Sequence, residues 1–191
     1  MNLLDTQENP LLHSPAKVVA YHGCERGVAE AILQGTPFLP SLNGYDWLGA
    51  GIYFWEYAPV RAKEWGEKRF GTETAVLQAK LTLGNSLNLL DTTHFSGLQQ
   101  VYNKTIESLT ANGISIPRNQ EDKRHYLDRM IVEFYCQDRY EVTGRQIQTV
   151  RGCFTEGSPV FEGSKILRET HVQIAVRDPS CISEIRLVGS E

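Results

Sequence analysis

The strongest pattern in this sequence is residues 47–56, WLGAGIYFWE. Two glycines lead into a strand-like run and a dense group of aromatic side chains. All three tryptophans of the chain, Trp47, Trp55 and Trp65, fall within 19 residues around it. Aromatic faces bind flat rings by stacking, and a cationic ring gains further attraction from the ring quadrupole. Because aromatic residues also fill protein cores, this stretch predicts either core packing or the wall of a site for a flat ring.

The segments on either side predict strands at both ends of the chain and helices between them. Residues 74–83 alternate between apolar and polar side chains, which is typical of a half-buried strand. Residues 141–170 predict strands broken by loops. The other predicted strands are 17–22, 51–54, 86–90, 171–177 and 182–188, and the predicted helices are 26–34, 58–69, 94–112 and 120–138. Because strands and helices do not alternate along the chain, the order favours an α+β fold.

The composition and the missing nucleotide-binding loops exclude several classes of protein. A chain of 191 residues that is 41% hydrophobic suits one folded core and is not that of a disordered protein. The net charge of −4 gives no field that would gather nucleic acid over the whole surface. Neither G-x-G-x-x-G nor G-x-x-x-x-G-K-[ST] occurs, so Rossmann and P-loop folds have no support. We expect a lead-in over 1–16 and a single domain over 17–191, with a helical insertion at 94–138.

The sequence favours a protein of the reducing cytoplasm. No stretch approaches the roughly 20 apolar residues that span a bilayer, so no membrane partner is expected. Residues 1–15 lack the basic start and unbroken apolar run of a signal peptide. The four cysteines show neither a CxxC pair nor a zinc-finger spacing, so we expect free thiols and no metal site. Injection into another cell by a dedicated secretion system would leave no mark in these patterns.

Two further places in the sequence could carry chemistry. In residues 21–24 (YHGC), a histidine ends a predicted buried strand, and a glycine without Cβ follows it, where a ligand could approach the backbone. In the predicted strand 171–177, alternation turns Ile174 toward the core and both His171 and Gln173 outward. Each place also fits ordinary structure, as a core histidine beside a turn or as a solvated strand face.

Together, these places resemble the ADP-ribosyltransferase superfamily, in its diphtheria-toxin-like and poly(ADP-ribose)-polymerase-like branch with a His-Tyr-Glu motif. Residues 21–23 match the His motif, and residues 49–54 match the Tyr motif, followed as in the family by a helix. Counting back from the Asp-Pro pair at 178–179 puts Gln173 where the family has its Glu. The resemblance covers about residues 17–188 and implies two small antiparallel sheets around an NAD cleft.

The resemblance implies NAD⁺ as a substrate and no metal. His22 would hydrogen-bond the adenosine ribose, the Gly23 backbone would hold the nicotinamide carboxamide, and Tyr53 would stack on the nicotinamide ring. Trp65 would cover the second face of that ring, although it lies one residue away from the usual family spacing. Trp47 is expected on the rim and Trp55 beneath. The implied catalytic residues are His22, Tyr53 and Gln173, and the implied cofactor-binding residues are His22, Gly23, Gly51, Ile52, Tyr53 and Trp65.

The third motif departs from the family. The implied reaction displaces nicotinamide at the ribose C1′ through an oxocarbenium-like transition state, whose charge the family Glu stabilises. Gln173 can accept the same hydrogen bond from the ribose 2′-OH but brings no charge. Three interpretations stay open: transfer without that Glu, a carboxylate from Glu156 or Glu162 instead, or a domain that only binds. Chain extension to poly(ADP-ribose) is not expected, because it depends on the family Glu.

We therefore expect a mono-ADP-ribosyltransferase that modifies a protein or a nucleic acid, as a toxin, effector or defence factor would. The segment 152–169 resembles by position the acceptor-contacting loop of the family, with Glu156, Glu162 and Arg168 as candidate acceptor contacts. An ordinary solvated loop fits that segment equally well. A neutralising partner protein is a further expectation. The alternatives are an NAD⁺ glycohydrolase and a catalytically weak or inactive module that binds NAD⁺ or ADP-ribose.

Overall fold

A computed structural model of the chain describes residues 16–44, 46–120 and 124–189. Almost all of the predicted lead-in lies outside these residues, as do residues 121–123 of the predicted fourth helix. The described strands are β1 (Lys17–Glu25), β2 (Ile52–Glu56), β3 (Thr74–Thr82), β4 (Ser86–Asn88), β5 (Thr149–Phe154), β6 (His171–Val176) and β7 (Ile182–Leu187). The described helices are α1 (Arg26–Leu33), α2 (Pro59–Phe70), α3 (Phe95–Ala111) and α4 (Tyr126–Thr143).

The α+β class is confirmed, and most predicted elements lie within a few residues of the observed ones. The alternation in 74–83 holds, because its inward residues Ala75, Leu77, Ala79, Leu81 and Leu83 are all buried. Helix α4 differs most from its prediction. It runs on to Thr143 and ends where Gly144 adopts a left-handed conformation with φ of 67°, a common helix stop.

The expectation of two small antiparallel sheets is wrong. The described strands form one mixed sheet of seven strands in the order β4-β5-β6-β2-β1-β3-β7. Strands β4 and β5 pair in parallel, and every other neighbouring pair is antiparallel. The two halves are joined because β1 pairs with β2 at two positions, Ala20 with Glu56 and Tyr21 with Trp55.

Beyond those two pairs, β1 and β2 separate. Strand β1 continues alongside β3 as far as the pair of Glu25 with Thr74, while β2 pairs along its whole length with β6. His22 lies directly after the last shared pair, and its Nδ1 is 2.8 Å from the carbonyl oxygen of Tyr53 on β2. The His22 side chain thus bonds the Tyr53 carbonyl where main-chain pairing between β1 and β2 stops. Beyond this point a gap opens between the two strands.

Helices cover the sheet differently in its two halves. On the half formed by β4, β5 and β6, helices α3 and α4 close a core around Leu87, Val150 and Ala175. On the other half, α2 packs against β1 and β3, and α1 packs on the opposite side, against Cys24 and Leu77. A further cluster, which includes Ala20 of β1, Phe54 of β2 and Ile174 of β6, runs across both halves and joins them beneath the gap.

The packing of α2 on β1 predicts a strict requirement for glycine at position 23. A Cβ at Gly23 would overlap the carbonyl oxygen of Ala62 on α2, and a backbone atom cannot move aside cheaply. We expect Gly23→Ala to lower the free energy of unfolding by about 1–3 kcal/mol, as overpacking does. Gly27→Ala on α1 is the matched control, because nothing lies within 4 Å of its Cβ position. Equal stability of the two variants in urea denaturation would contradict this packing.

Candidate functional site

The gap between β1 and β2 opens into a cleft of about 570 Å³. That volume lies within the range of small-molecule sites. The cleft brings together side chains that lie far apart in the sequence and that the sequence predicted as site residues. Those lining it are His22, Gly23, Tyr53, Trp65, Glu156 and Gln173.

Four other predicted residues do not line this cleft. Ile52 faces the opposite side of the sheet, where it is 2% exposed among core side chains, and Gly51 packs against β6. Glu162 lies in the exposed loop before β6. The guanidinium of Arg168 donates to the carbonyl oxygen of Val160 within the same loop. These four residues therefore lie outside the cleft that Tyr53 lines.

His22 can act as a hydrogen-bond acceptor toward the cleft. A carbonyl oxygen only accepts, so Nδ1 of His22 carries the proton that it donates to Tyr53. Its Nε2 is then unprotonated and has a lone pair. Burial lowers the pKa of His22 below 6.5, which keeps the ring neutral near pH 7. Contacts with Phe38 and Phe54, at centroid distances of 5.2 Å and 5.5 Å, hold the imidazole in place.

The hydroxyl of Tyr53 is engaged in structure and has no free role in proton transfer. It donates to the carbonyl oxygen of Gly49 at 2.8 Å and accepts from the N–H of Leu48 at 3.1 Å. Burial, together with the charge of Asp46, raises the pKa of Tyr53 far above its ordinary value. The phenol therefore stays neutral, and what Tyr53 contributes to the cleft is its ring.

An ion pair from helix α4 holds the turn that carries Tyr53. Glu133 Oε1 accepts from the N–H of Ala50 at 2.5 Å, and Glu133 Oε2 lies 3.0 Å from Nη2 of Arg177. A Cβ at Gly49 would lie 2.7 Å from Glu133 Oε1, and Gly49 has φ of 83°. Position 49 thus requires glycine for two separate reasons. No local sequence pattern points to Glu133, because it lies 83 residues from Ala50.

The tryptophans occupy three different positions around the cleft. Trp65 is 39% exposed and lies beside the buried Trp55, at a centroid distance of 5.5 Å. Trp55 is 3% exposed beneath it, as the sequence predicted. Trp47 stacks on His125 at 4.7 Å and meets Phe154 edge-on at 4.3 Å. Trp65 is therefore the tryptophan of the three with the most surface open to a bound ring.

Gln173 is joined to His171 on the floor of the cleft. Nε2 of Gln173 lies 2.9 Å from Nε2 of His171, and Nδ1 of His171 lies 2.5 Å from the carbonyl oxygen of Glu169. The His171 ring stacks on Phe154 with centroids 5.2 Å apart and an interplanar angle of 6°. The sequence placed His171 on the same face as Gln173 but did not identify it as a site residue.

We expected the missing Cβ of Gly23 to leave its backbone open to a ligand. The structure shows that this side of Gly23 is not open. Ala62 of α2 fills that space. Gly51 is likewise explained by sheet packing, because a Cβ there would lie 3.0 Å from the carbonyl oxygen of Val176. The glycines of both motifs are therefore required by the fold itself, and only the backbone of Gly23 remains part of the cleft wall.

A cluster of charged side chains closes one end of the cleft. Arg61 on α2 makes an ion pair with Glu64 and lies 3.2 Å from Glu169 and 4.0 Å from Glu156. One guanidinium thus faces three carboxylates and ties α2 to the loop before β6. Of the two glutamates proposed as substitutes for the family Glu, Glu156 is the one in the cleft, with a cation beside it.

Comparison with known proteins adds one partial likeness. No family model matches the chain. A stretch of 73 residues is 33% identical to the uncharacterized protein MJ0359 of Methanocaldococcus jannaschii, covering 36% of this chain and 34% of that protein. The matched stretch thus spans about a third of that protein, and it shows neither a family nor a function.

The described residues hold neither a candidate membrane span nor a candidate metal cluster. None of the helices there is both long enough and apolar enough to cross a membrane. Across the same residues, no group of three or more His, Cys, Asp or Glu side chains is arranged to hold a metal ion.

Removing the Glu133 carboxylate tests how the Tyr53 turn is held. We expect Glu133→Ala to lower the free energy of unfolding by about 1–3 kcal/mol, since it leaves Arg177 and the N–H of Ala50 without their partner. The amide of Ala50 should also exchange its hydrogen faster. Glu67→Ala on α2 is the matched control, because the Glu67 carboxylate pairs with Lys63 on the exposed surface, a contact worth about 0.3–0.5 kcal/mol. Unchanged exchange at Ala50 would show that the turn does not depend on Glu133.

Proposed function

We propose that this protein binds NAD⁺ and transfers a single ADP-ribose unit from it to a macromolecular acceptor. The observation that supports this most is the convergence of His22, Tyr53, Trp65 and Gln173 on one cleft of about 570 Å³. These residues come from β1, β2, α2 and β6. Such a combination of a hydrogen-bond acceptor, aromatic surfaces and an amide suits a ligand that carries both a ribose and a flat cationic ring.

Binding would divide between the ring surfaces and His22. The positively charged nicotinamide would lie against the ring of Tyr53 and against Trp65, where the ring quadrupoles attract a cation. The unprotonated Nε2 of His22 would accept a hydrogen bond from a hydroxyl of the adenosine ribose. A neutral imidazole suits this role, because a protonated one has no lone pair to accept with.

The reaction breaks the bond between C1′ of the ribose and the nicotinamide nitrogen. Nicotinamide leaves with the bonding electron pair, and positive charge develops on the ribose. A nucleophile of the acceptor then bonds to C1′ and loses its proton to solvent. Gln173 would accept a hydrogen bond from the ribose 2′-OH. Because its amide has no charge, we expect turnover to be about 10²–10³-fold slower than with a carboxylate there.

The aromatic contact is tested by two substitutions at one position. Tyr53→Ala removes the ring, and we expect it to reduce nicotinamide release from NAD⁺ by about tenfold or more. Tyr53→Phe keeps the ring and removes the hydroxyl, so it should retain most of the release while lowering stability by about 1 kcal/mol. Normal release by a folded Tyr53→Ala protein would overturn the assignment of the nicotinamide site.

Substitutions at Gln173 on β6 and at Glu156 and Glu162 on the loop before β6 test which residue acts beside the ribose. If Gln173 is the residue beside the ribose, Gln173→Glu should raise nicotinamide release, by up to about 10²–10³-fold. If Glu156 supplies the charge, Glu156→Gln should abolish release, while Glu162→Gln, outside the cleft on the same loop, should leave it unchanged. NAD⁺ binding without release in all of these proteins would instead indicate a binding module.

The acceptor is identified by incubation with NAD⁺ labelled in its adenylate part and a cell lysate. Separate protease and nuclease digestion of the labelled product then distinguishes a protein acceptor from a nucleic acid. Consumption of NAD⁺ without any labelled macromolecule would indicate a glycohydrolase and contradict the transfer step. Failure to bind NAD⁺ would overturn the proposed function as a whole.

A further inference from the structure

We propose that His171 is a positioning residue that fixes the orientation of the Gln173 amide, an inference that rests on the proposed role of Gln173. In this arrangement the imidazole holds the amide nitrogen of Gln173 and leaves the amide oxygen free to accept a hydrogen bond from a ribose hydroxyl.

The proton positions follow from the partner of His171. Its Nδ1 lies 2.5 Å from the carbonyl oxygen of Glu169, and a carbonyl oxygen only accepts, so Nδ1 carries the hydrogen. In the neutral ring, Nε2 is then an acceptor. The group 2.9 Å from it must be a donor, which is the NH₂ of Gln173. The backbone carbonyl of Glu169 thus sets the His171 tautomer and, through it, the orientation of the Gln173 amide.

The amide oxygen of Gln173 is the part left for a ligand. It lies on the opposite side of the amide from His171, and Gln173 lines the cleft. It accepts no hydrogen bond from any residue in the described part of the chain. A glutamine that was free to rotate would present NH₂ to the ligand as often as oxygen, and NH₂ cannot accept from a hydroxyl.

The ring of His171 is itself held in place. It is 6% exposed, stacks on Phe154 of β5, and lies 6.4 Å from the ring centroid of Trp55 on β2. The charged groups around it are Arg61 from α2 and both Glu156 and Glu169 from the loop before β6. Burial, reinforced by Arg61, lowers the pKa of His171 below its ordinary value despite the two carboxylates.

Protonation of His171 would reverse the orientation of the amide. Both ring nitrogens then donate, so the NH₂ of Gln173 can no longer face Nε2. The amide rotates to offer its oxygen to the imidazolium, and its NH₂ turns toward the ligand. We therefore expect kcat for nicotinamide release to fall as the pH drops through the pKa of His171, while KM for NAD⁺ changes less.

Two variants separate this role from simple packing. Glutamine at position 171 can place an amide oxygen near the position of Nε2, where it accepts from Gln173 but does not titrate. His171→Gln should therefore keep kcat near neutral pH and lose the fall in acid. His171→Leu removes the acceptor and leaves the two orientations of the Gln173 amide about equally populated, so it should lower kcat about twofold near neutral pH and show no fall in acid. Thermal melting shows whether each variant is folded.

Nitrogen-15 NMR of the His171 ring tests the same inference without any turnover. We expect the neutral ring to carry its proton on Nδ1, and the side-chain amide signal of Gln173 to shift when His171 titrates. A proton on Nε2, or a His171→Gln protein that keeps the acid fall in kcat, would overturn the inference. A proton on Nδ1 in a protein that releases no nicotinamide would establish the orientation and contradict the proposed function instead.

Discussion

The short pairing between β1 and β2 is the constraint on which the rest of this molecule depends. Two residue pairs hold the halves of the sheet together, and beyond them each strand follows its outer neighbour. A buried carbonyl group without a partner is costly, so separating two strands normally destabilises a fold. Here the imidazole of His22 donates to the carbonyl of Tyr53 and removes that cost where the separation begins. The cleft can open at this point because the His22 side chain takes the place of a main-chain N–H as the hydrogen-bond donor to Tyr53.

The walls of the cleft are fixed before any ligand arrives. The Tyr53 hydroxyl is bonded on both sides to its own turn, and Glu133 ties that turn to α4. Gln173 is held by His171, which is packed against Phe154. Side chains whose rotamers are already restricted lose little entropy when a ligand binds. A site built in this way can bind with few direct contacts, because their geometry has been set by the packing around them.

The sequence predicted the elements better than the way in which they are joined. Alternation in 74–83 identified β3, since period-two burial is a local property. The joining of the sheet halves could not be predicted, because it depends on the two pairs between β1 and β2. Glycines at 23 and 51 suggested a ligand, whereas helix and strand contacts explain them. Glu133 was missed because its partners, Ala50 and Arg177, are 83 and 44 residues away.

The separation of β1 from β2 gives this sheet a pair of inner edges in addition to its two outer ones. Edge strands invite the pairing of foreign strands, and proteins usually block them with charge, proline or a covering element. These inner edges are protected in another way, because they face each other across a gap bridged by one imidazole at its closed end. The side chain that bridges the separated strands therefore also occupies a main-chain acceptor at which a further strand would begin to pair.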